Sequence, residues 1–141
     1  RFTETVVGDN IIIDDYAHHP SEVRATIESI KQKYPDKRIV IVFQPHTFTR
    51  TKEFYKDLIN EFSKVDASYI LDIHPAREKQ DDYPDITSNI IIDSLDNCYH
   101  INLDEANKLA NYNNTVFAFM SPNDISKLEE DLENILIKNI E

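Results

Sequence analysis

The β-branched run Ile11-Ile12-Ile13 ends in Asp14-Asp15-Tyr16-Ala17-His18-His19-Pro20, so two carboxylates and two imidazoles follow directly on an apolar segment. These side chains can accept hydrogen bonds, move protons near neutral pH or ligate a metal. A second cluster, Gln44-Pro45-His46-Thr47-Phe48-Thr49-Arg50-Thr51, follows the apolar run Arg38 to Phe43. Its guanidinium suits a carboxylate or phosphate, which it can grip through two parallel hydrogen bonds. A third, Asp72-Ile73-His74-Pro75-Ala76-Arg77-Glu78, closes a further apolar run. Taken singly, each has a plainer reading. Asp14 and Asp15 can cap a helix, His18 and His19 can fill a loop, and Arg50 can make a surface salt bridge. Three such endings in succession favour a binding face.

The elements that must position these residues alternate in type. Ile11-Ile12-Ile13 reads as a strand covered on both faces, and parallel sheets place ligands beyond the carboxyl ends of such strands. Pro20 suits the first turn of a helix, whose apolar face is Val23, Ile27, Ile30 and Tyr34. Arg38 to Phe43 is a second strand, and Phe54, Leu58, Ile59 and Phe62 mark a second helix. Ser68 to Ile73 reads as a third strand. Thr87-Ser88 can cap a helix through Leu95, although Ile90-Ile91-Ile92 suits a strand equally. Tyr99 to Asn102 is a short strand, Leu103 to Ala110 a helix, Thr115 to Phe119 a strand, and Ile125 to Leu136 the last helix. The segment Glu78 to Asp85 is the expected flexible loop. This alternation predicts βαβ units: a three-layer α/β fold with a mostly parallel sheet and helices on both faces.

Composition narrows the function. The 141 residues, 40% of them hydrophobic, suit one domain spanning 1–141. The chain opens at Arg1 rather than methionine, which suggests a domain excised from a longer protein. No apolar run approaches the ~18 residues of a membrane span. The net charge of −11 disfavours nucleic acid and anionic lipid as partners. Cys98, the single cysteine, excludes an intramolecular disulfide and fits a reducing, cytoplasmic setting. Gly8 is the single glycine, so there is no phosphate-cradling loop and no dinucleotide fingerprint. Another domain would have to hold the phosphates of any nucleotide.

The two long motifs, in this order and at this spacing, resemble the C-terminal domain of the Mur ligases. Within that family they are most similar to the enzymes that join L-alanine to UDP-N-acetylmuramate. A murein-recycling ligase shares the His-His-Pro motif but departs in the second one. The resemblance implies a Rossmann-like domain closing a three-domain, ATP-dependent ligase, with residues 1–10 as hinge and first strand region. It also implies activation of the lactyl carboxylate as an acyl phosphate, which the amine of L-alanine attacks. The N-terminal domain would hold the UDP-sugar, and the central domain the ATP phosphates and Mg²⁺. Carried over by position, Asp15 would bind the ATP ribose and Arg1 the nucleotide phosphates. Tyr16, His18, His19, His46, Arg50 and Arg77 would meet the substrates, and His18, His46 and Arg50 would act in catalysis. The domain alone would be inactive, with no metal of its own.

Two departures mark this chain. Thr47 stands where many relatives carry arginine, and Met120-Ser121-Pro122-Asn123-Asp124-Ile125 replaces a glycine-rich turn. Two other classes compete. A signalling receiver domain would use Asp14, Asp15 and a phosphorylated Asp72, but Ser121 stands where its lysine belongs. A metal-dependent phosphoesterase would use Asp15, His18, His46, Asp72 and His74.

Overall fold

The computed structural model describes residues 2–141, and the expected phosphate contact of Arg1 lies outside the described residues. Within the region expected to hold the hinge and first strand, residues 2–10 form a strand and its turn. Strand β1 (Phe2–Val7) turns back onto β2 (Asn10–Asp15) as an antiparallel hairpin, with Val7 opposite Asn10. Gly8 makes the turn possible at φ +60, a left-handed conformation that side chains with a Cβ resist.

Four further strands run parallel to β2: β3 (Arg38–Phe43), β4 (Ala67–Ile70), β5 (Cys98–His100) and β6 (Thr115–Met120). The sheet order is β1-β2-β6-β3-β4-β5. The last strand therefore inserts between the first two βα units, separating strands that are consecutive in sequence. Register aligns their ends, since Asp15 pairs with Met120, Met120 with Phe43, Phe43 with Ile70, and Ile70 with His100. All the loops that carry the polar motifs leave the sheet at this one level.

The sheet is covered on both faces, as the unalternating strands require. On one face α1 (Pro20–Lys33), α2 (Phe48–Phe62) and the short α3 (Asn89–Ile92) pack Val23, Ile27, Ile30, Leu58, Phe62 and Ile91 against Ile11, Ile13, Ile41 and Phe43. On the other, α4 (Ser126–Asn139) and a 3₁₀ turn at Ala106–Leu109 lay Leu128, Leu132, Leu136 and Leu109 on Ile12, Val40, Phe117 and Phe119. Each such side chain contributes roughly 1.5–3 kcal/mol when removed from water.

Several boundaries differ from the sequence pattern. The third predicted strand stops at Ile70 rather than Ile73, because β5 offers partners only to Ser68, Tyr69 and Ile70. Helix α3 ends at Ile92, and the strand alternative there is not taken. Of the Thr87-Ser88 pair, Thr87 Oγ1 accepts from the Asn89 N–H at the start of α3, at 3.2 Å, whereas the Ser88 hydroxyl donates to the carbonyl of Leu71 at 2.5 Å. The Leu103 to Ala110 helix shrinks to the 3₁₀ turn. The segment expected to be a free loop, Glu78 to Asp85, is tied to α2 and contains a 3₁₀ turn at Gln80–Asp82.

One charged contact clasps α1 to α2. Glu61, only 1% exposed, accepts from Arg24 Nε at 3.2 Å and from Lys64 Nζ at 2.9 Å. A buried carboxylate is tolerated only with such partners. The clasp holds the loop before α1 against the flank of α2.

Gly8 offers a local test. A Cβ there would lie 3.4 Å from Ile140 Cγ2 in addition to the left-handed backbone. Gly8→Ala is expected to cost about 1–2 kcal/mol, seen as a lower midpoint in chemical denaturation with an unchanged slope.

Candidate functional site

The polar loop after β2 is set by its own hydrogen bonds. His18 donates from Nδ1 to the carbonyl of Tyr16 at 3.0 Å, which leaves Nε2 as the acceptor of the neutral ring. His19 does the reverse. It caps α1 by accepting from the Ser21 backbone N–H at 3.1 Å, so its Nε2 carries the proton. Glu22 reaches back to accept from the backbone N–H groups of His19 and His18, at 3.0 and 3.3 Å. The helix-cap reading thus holds, but for His19 rather than for the two aspartates, and it orients two imidazoles with opposite hydrogen-bonding character.

The loop after β3 enters from across β6. Pro45 is buried and ends the strand, and His46 forms an isolated parallel bridge with His74. Their rings stack at 5.5 Å with 12° between planes. Thr47 then takes φ 66, an uncommon conformation for a β-branched residue, before α2 begins. Arg50 lies on the first turn of α2. Among the described residues no carboxylate forms an ion pair with its guanidinium, so the surface salt-bridge reading of Arg50 fails.

A cavity of about 400 Å³ opens between these loops. It is lined by His18, His19, His46 and Arg50, with Pro45 and Phe54 among its walls. Phe54 meets the His19 ring edge-on at 4.7 Å. Four of the candidate residues are therefore brought together: two imidazoles of opposite polarity, a third imidazole and a cation available to a ligand anion.

His46 is the most perturbed of them. Burial, then the neighbouring His74, hold its ring below the ordinary imidazole value, with Arg50 and His18 adding to the effect and the Asn123 amide opposing it. His46 is thus neutral at pH 7, suited to accept a proton or a hydrogen bond. Its Nδ1 and the Asn123 Nδ2 are buried atoms without a hydrogen-bond partner. Such atoms are uncommon in folded proteins and mark places where a ligand or water completes the site.

Asp15 and Tyr16 stand on the same rim outside the cavity. Asp15 accepts from the Thr26 hydroxyl at 2.6 Å and from the Ala17 N–H at 3.3 Å, which fixes its carboxylate and leaves acceptor capacity toward solvent. Tyr16, half exposed, lines a separate depression of about 290 Å³ with Asp14, Ser121 and Asn123. Arg77 is exposed and does not reach the cavity. Phe54 and Asn123 were not read from sequence as site residues, and His74 and Glu78 were read only as members of the third polar cluster, His74 also as a ligand in the competing phosphoesterase. Phe54 was visible only as a member of an apolar helix face, and Asn123 only as part of a departure from a glycine-rich turn.

The geometry disposes of both competing classes. β2 and β4 lie three strand spacings apart, roughly 14 Å, so Asp15 and Asp72 cannot share a cation. Asp72 instead pairs with His100 at 2.8 Å. Among the described residues no group of three His, Cys, Asp or Glu side chains could hold a metal ion.

Comparison with known proteins agrees. The family described as "Mur ligase, glutamate ligase domain" matches residues 1–119. The UDP-N-acetylmuramate--L-alanine ligase of Lactobacillus acidophilus is 45% identical over 137 residues, 96% of this chain. The chain spans 31% of the length of that relative. Among solved structures, the UDP-N-acetylmuramate-alanine ligase MurC from Thermotoga maritima superposes with a TM-score of 0.66 at 26% identity, over 89% of this chain and 26% of that one. The MurF ligase from Thermotoga maritima in complex with ADP gives 0.68 at 19% identity, over 99% and 31%.

The state of His46 has a measurable consequence. Its folded value lies below the ordinary ~6.5, so between the two the unfolded chain binds more protons, and stability rises with pH across that window. Its contribution is full above about 6.5 and is lost as pH falls to the folded value. His46→Gln should therefore flatten part of the fall in thermal midpoint between pH 7 and 5. NMR titration should place the ring below the free imidazole value, and lower still in Asn123→Ala; a value at or above that of free imidazole would contradict the burial argument.

Proposed function

Because the chain belongs to the Mur ligase family through its glutamate ligase domain, we propose that it is the closing, C-terminal domain of a cytoplasmic, ATP-dependent ligase that joins L-alanine to UDP-N-acetylmuramate. The observation that carries this reading is the cavity on the sheet rim, where His18, His19, His46 and Arg50 converge. The choice of substrates rests on the 45% identity to a relative of that name, against 19% to the MurF ligase.

Each residue has a role suited to its setting. Arg50, which forms no ion pair among the described residues, meets the carboxylate of the amino acid or the charge developing on the transferred phosphoryl group, where a pre-positioned cation lowers the barrier. Neutral His46 and the Nε2 acceptor of His18 sit where an incoming amine would shed or share its proton. His19 and Tyr16 form the adjoining wall. Arg77 would reach substrate only through movement of its loop.

The fit to ATP is partial, which suits a domain that completes a site rather than forming it. Asp15 is held as a two-oxygen acceptor and matches a ribose hydroxyl. The sole glycine, Gly8, lies at the far end of the sheet from the rim and cannot cradle phosphates. ATP supplies the phosphoryl group that activates the carboxyl; its phosphates and Mg²⁺ fall to the central domain, and the UDP-sugar to the N-terminal domain, both proposed for the same protein. β1 starts opposite Asp15, at the rim, and closure of the domain would exclude water from the reacting groups. The domain alone is inactive on this reading.

In the full-length protein, Asp15→Ala should raise the ATP concentration needed for half-maximal rate, whereas Arg50→Ala should depress amide formation by about 100-fold with little effect on nucleotide binding. Steady-state kinetics with ATP and L-alanine varied separately distinguish the two. Equal and negligible effects would remove the rim from the ligase site.

A further inference from the structure

We infer that Glu78, which does not line the cavity, is the positioning residue that holds His46 and Arg50 in place; the inference rests on the ligase reading of the rim. Glu78 sits in the loop after β4, yet its side-chain hydrogen bonds are with the start of α2. Oε1 accepts from the backbone N–H of Phe48 at 2.6 Å and of Thr49 at 3.2 Å, and Oε2 accepts from the Thr49 hydroxyl. These N–H groups open α2 and have no partner within the helix. The helix's own cap is weak here, since Thr47 Oγ1 accepts only from the Arg50 N–H, at 3.3 Å. A carboxylate borrowed from another loop satisfies the first turn and complements its dipole.

Thr47 is the reason such a clamp is needed. It connects His46 on one side to the Arg50 turn on the other, in a left-handed conformation that a β-branched residue does not hold unaided. The surrounding bonds over-determine it. Thr47 N–H donates to the His74 carbonyl at 2.8 Å, His74 N–H donates to Pro45 at 2.9 Å, and Glu78 locks the residues that follow. Tyr83 adds a second anchor, stacking on Phe48 at 5.7 Å with its hydroxyl 3.0 Å from Thr49 Oγ1. Thr49, then the two backbone N–H groups, hold the Glu78 carboxyl below the usual carboxylate range, so the clamp is ionised at neutral pH. It also occupies the α2 N-terminus itself, leaving ligand anions to the Arg50 side chain.

The chemistry of the clamp separates shape from charge. A glutamine can repeat all three contacts, with its carbonyl taking both N–H groups and its amide donating to Thr49 Oγ1; alanine repeats none. In the full-length protein, Glu78→Ala should lower kcat for amide formation by about tenfold or more and raise KM for the amino acid. KM for ATP should stay within about twofold, because Asp15 stands on a different strand. Glu78→Gln should restore most of the loss. Hydrogen exchange on the present chain should show faster exchange at Phe48 and Thr49 in Glu78→Ala, not in Glu78→Gln, with α4 unchanged. Wild-type kinetics in Glu78→Ala beside an impaired Arg50→Ala would overturn the inference, as would equal rises in both KM values or unaltered exchange. If Arg50→Ala is itself without effect, the ligase reading fails, and exchange at Phe48 and Thr49 still decides whether the clamp exists.

Discussion

The level pairing of Asp15, Met120 and Phe43 across β2, β6 and β3 is the constraint from which the site follows. Parallel strands in this register end together, and each can continue only into a loop at the same edge. Asp15 and Phe43 are thereby held two strand spacings apart, roughly 10 Å, with the β6 turn between them. A slip of one residue in either pairing would reverse which side chains face the helices. The buried, unalternating strands make such a slip costly, since Ile13, Val40, Ile41 and Phe117 are all sealed from solvent.

The loops on this edge are not loosely attached. His19 caps α1, Glu22 answers it, and the α1–α2 clasp through Glu61 keeps that loop beside α2. The other wall is built from the bridge between His46 and His74 and from the carboxylate of Glu78 at the head of α2. The same polar groups that finish the helices therefore shape the cavity. This economy has a physical basis: helix ends leave backbone donors and acceptors exposed, and a site built at helix ends uses them rather than hiding them.

Charge in the site opposes the charge of the chain. The protein carries a net −11, yet the cavity gathers three imidazoles and Arg50 beside a single carboxylate, Glu53, with Asp15 outside it and the Glu78 carboxylate engaged by donors. The Arg50 guanidinium offers an anion a fixed cation within an otherwise acidic molecule. Burial, then the neighbouring His74, keep His46 neutral, with Arg50 and His18 adding to the effect. The carboxylate and phosphoryl groups of the proposed reaction would meet the Arg50 cation.

Layering, strand burial and the polar character of three strand ends were legible in the residues, because they depend on local periodicity and on where apolar runs stop. Asp14 to Pro20 and Gln44 to Thr51 declared themselves for the same reason. Strand order was not legible: placing β6 between β2 and β3 is a long-range choice that leaves no mark in neighbouring residues. Nor were the partners of the site. Glu78 lies 30 residues from Phe48 in sequence, and Asn123 far beyond His46, so their roles exist only once the sheet has brought separate loops to one edge. Asp15 and Arg77 show the converse, since residue type and motif marked both, while packing against Thr26 and exposure beyond the rim placed them outside the cavity. Local pattern specified which chemistry was present; the geometry of distant contacts chose which of those groups meet.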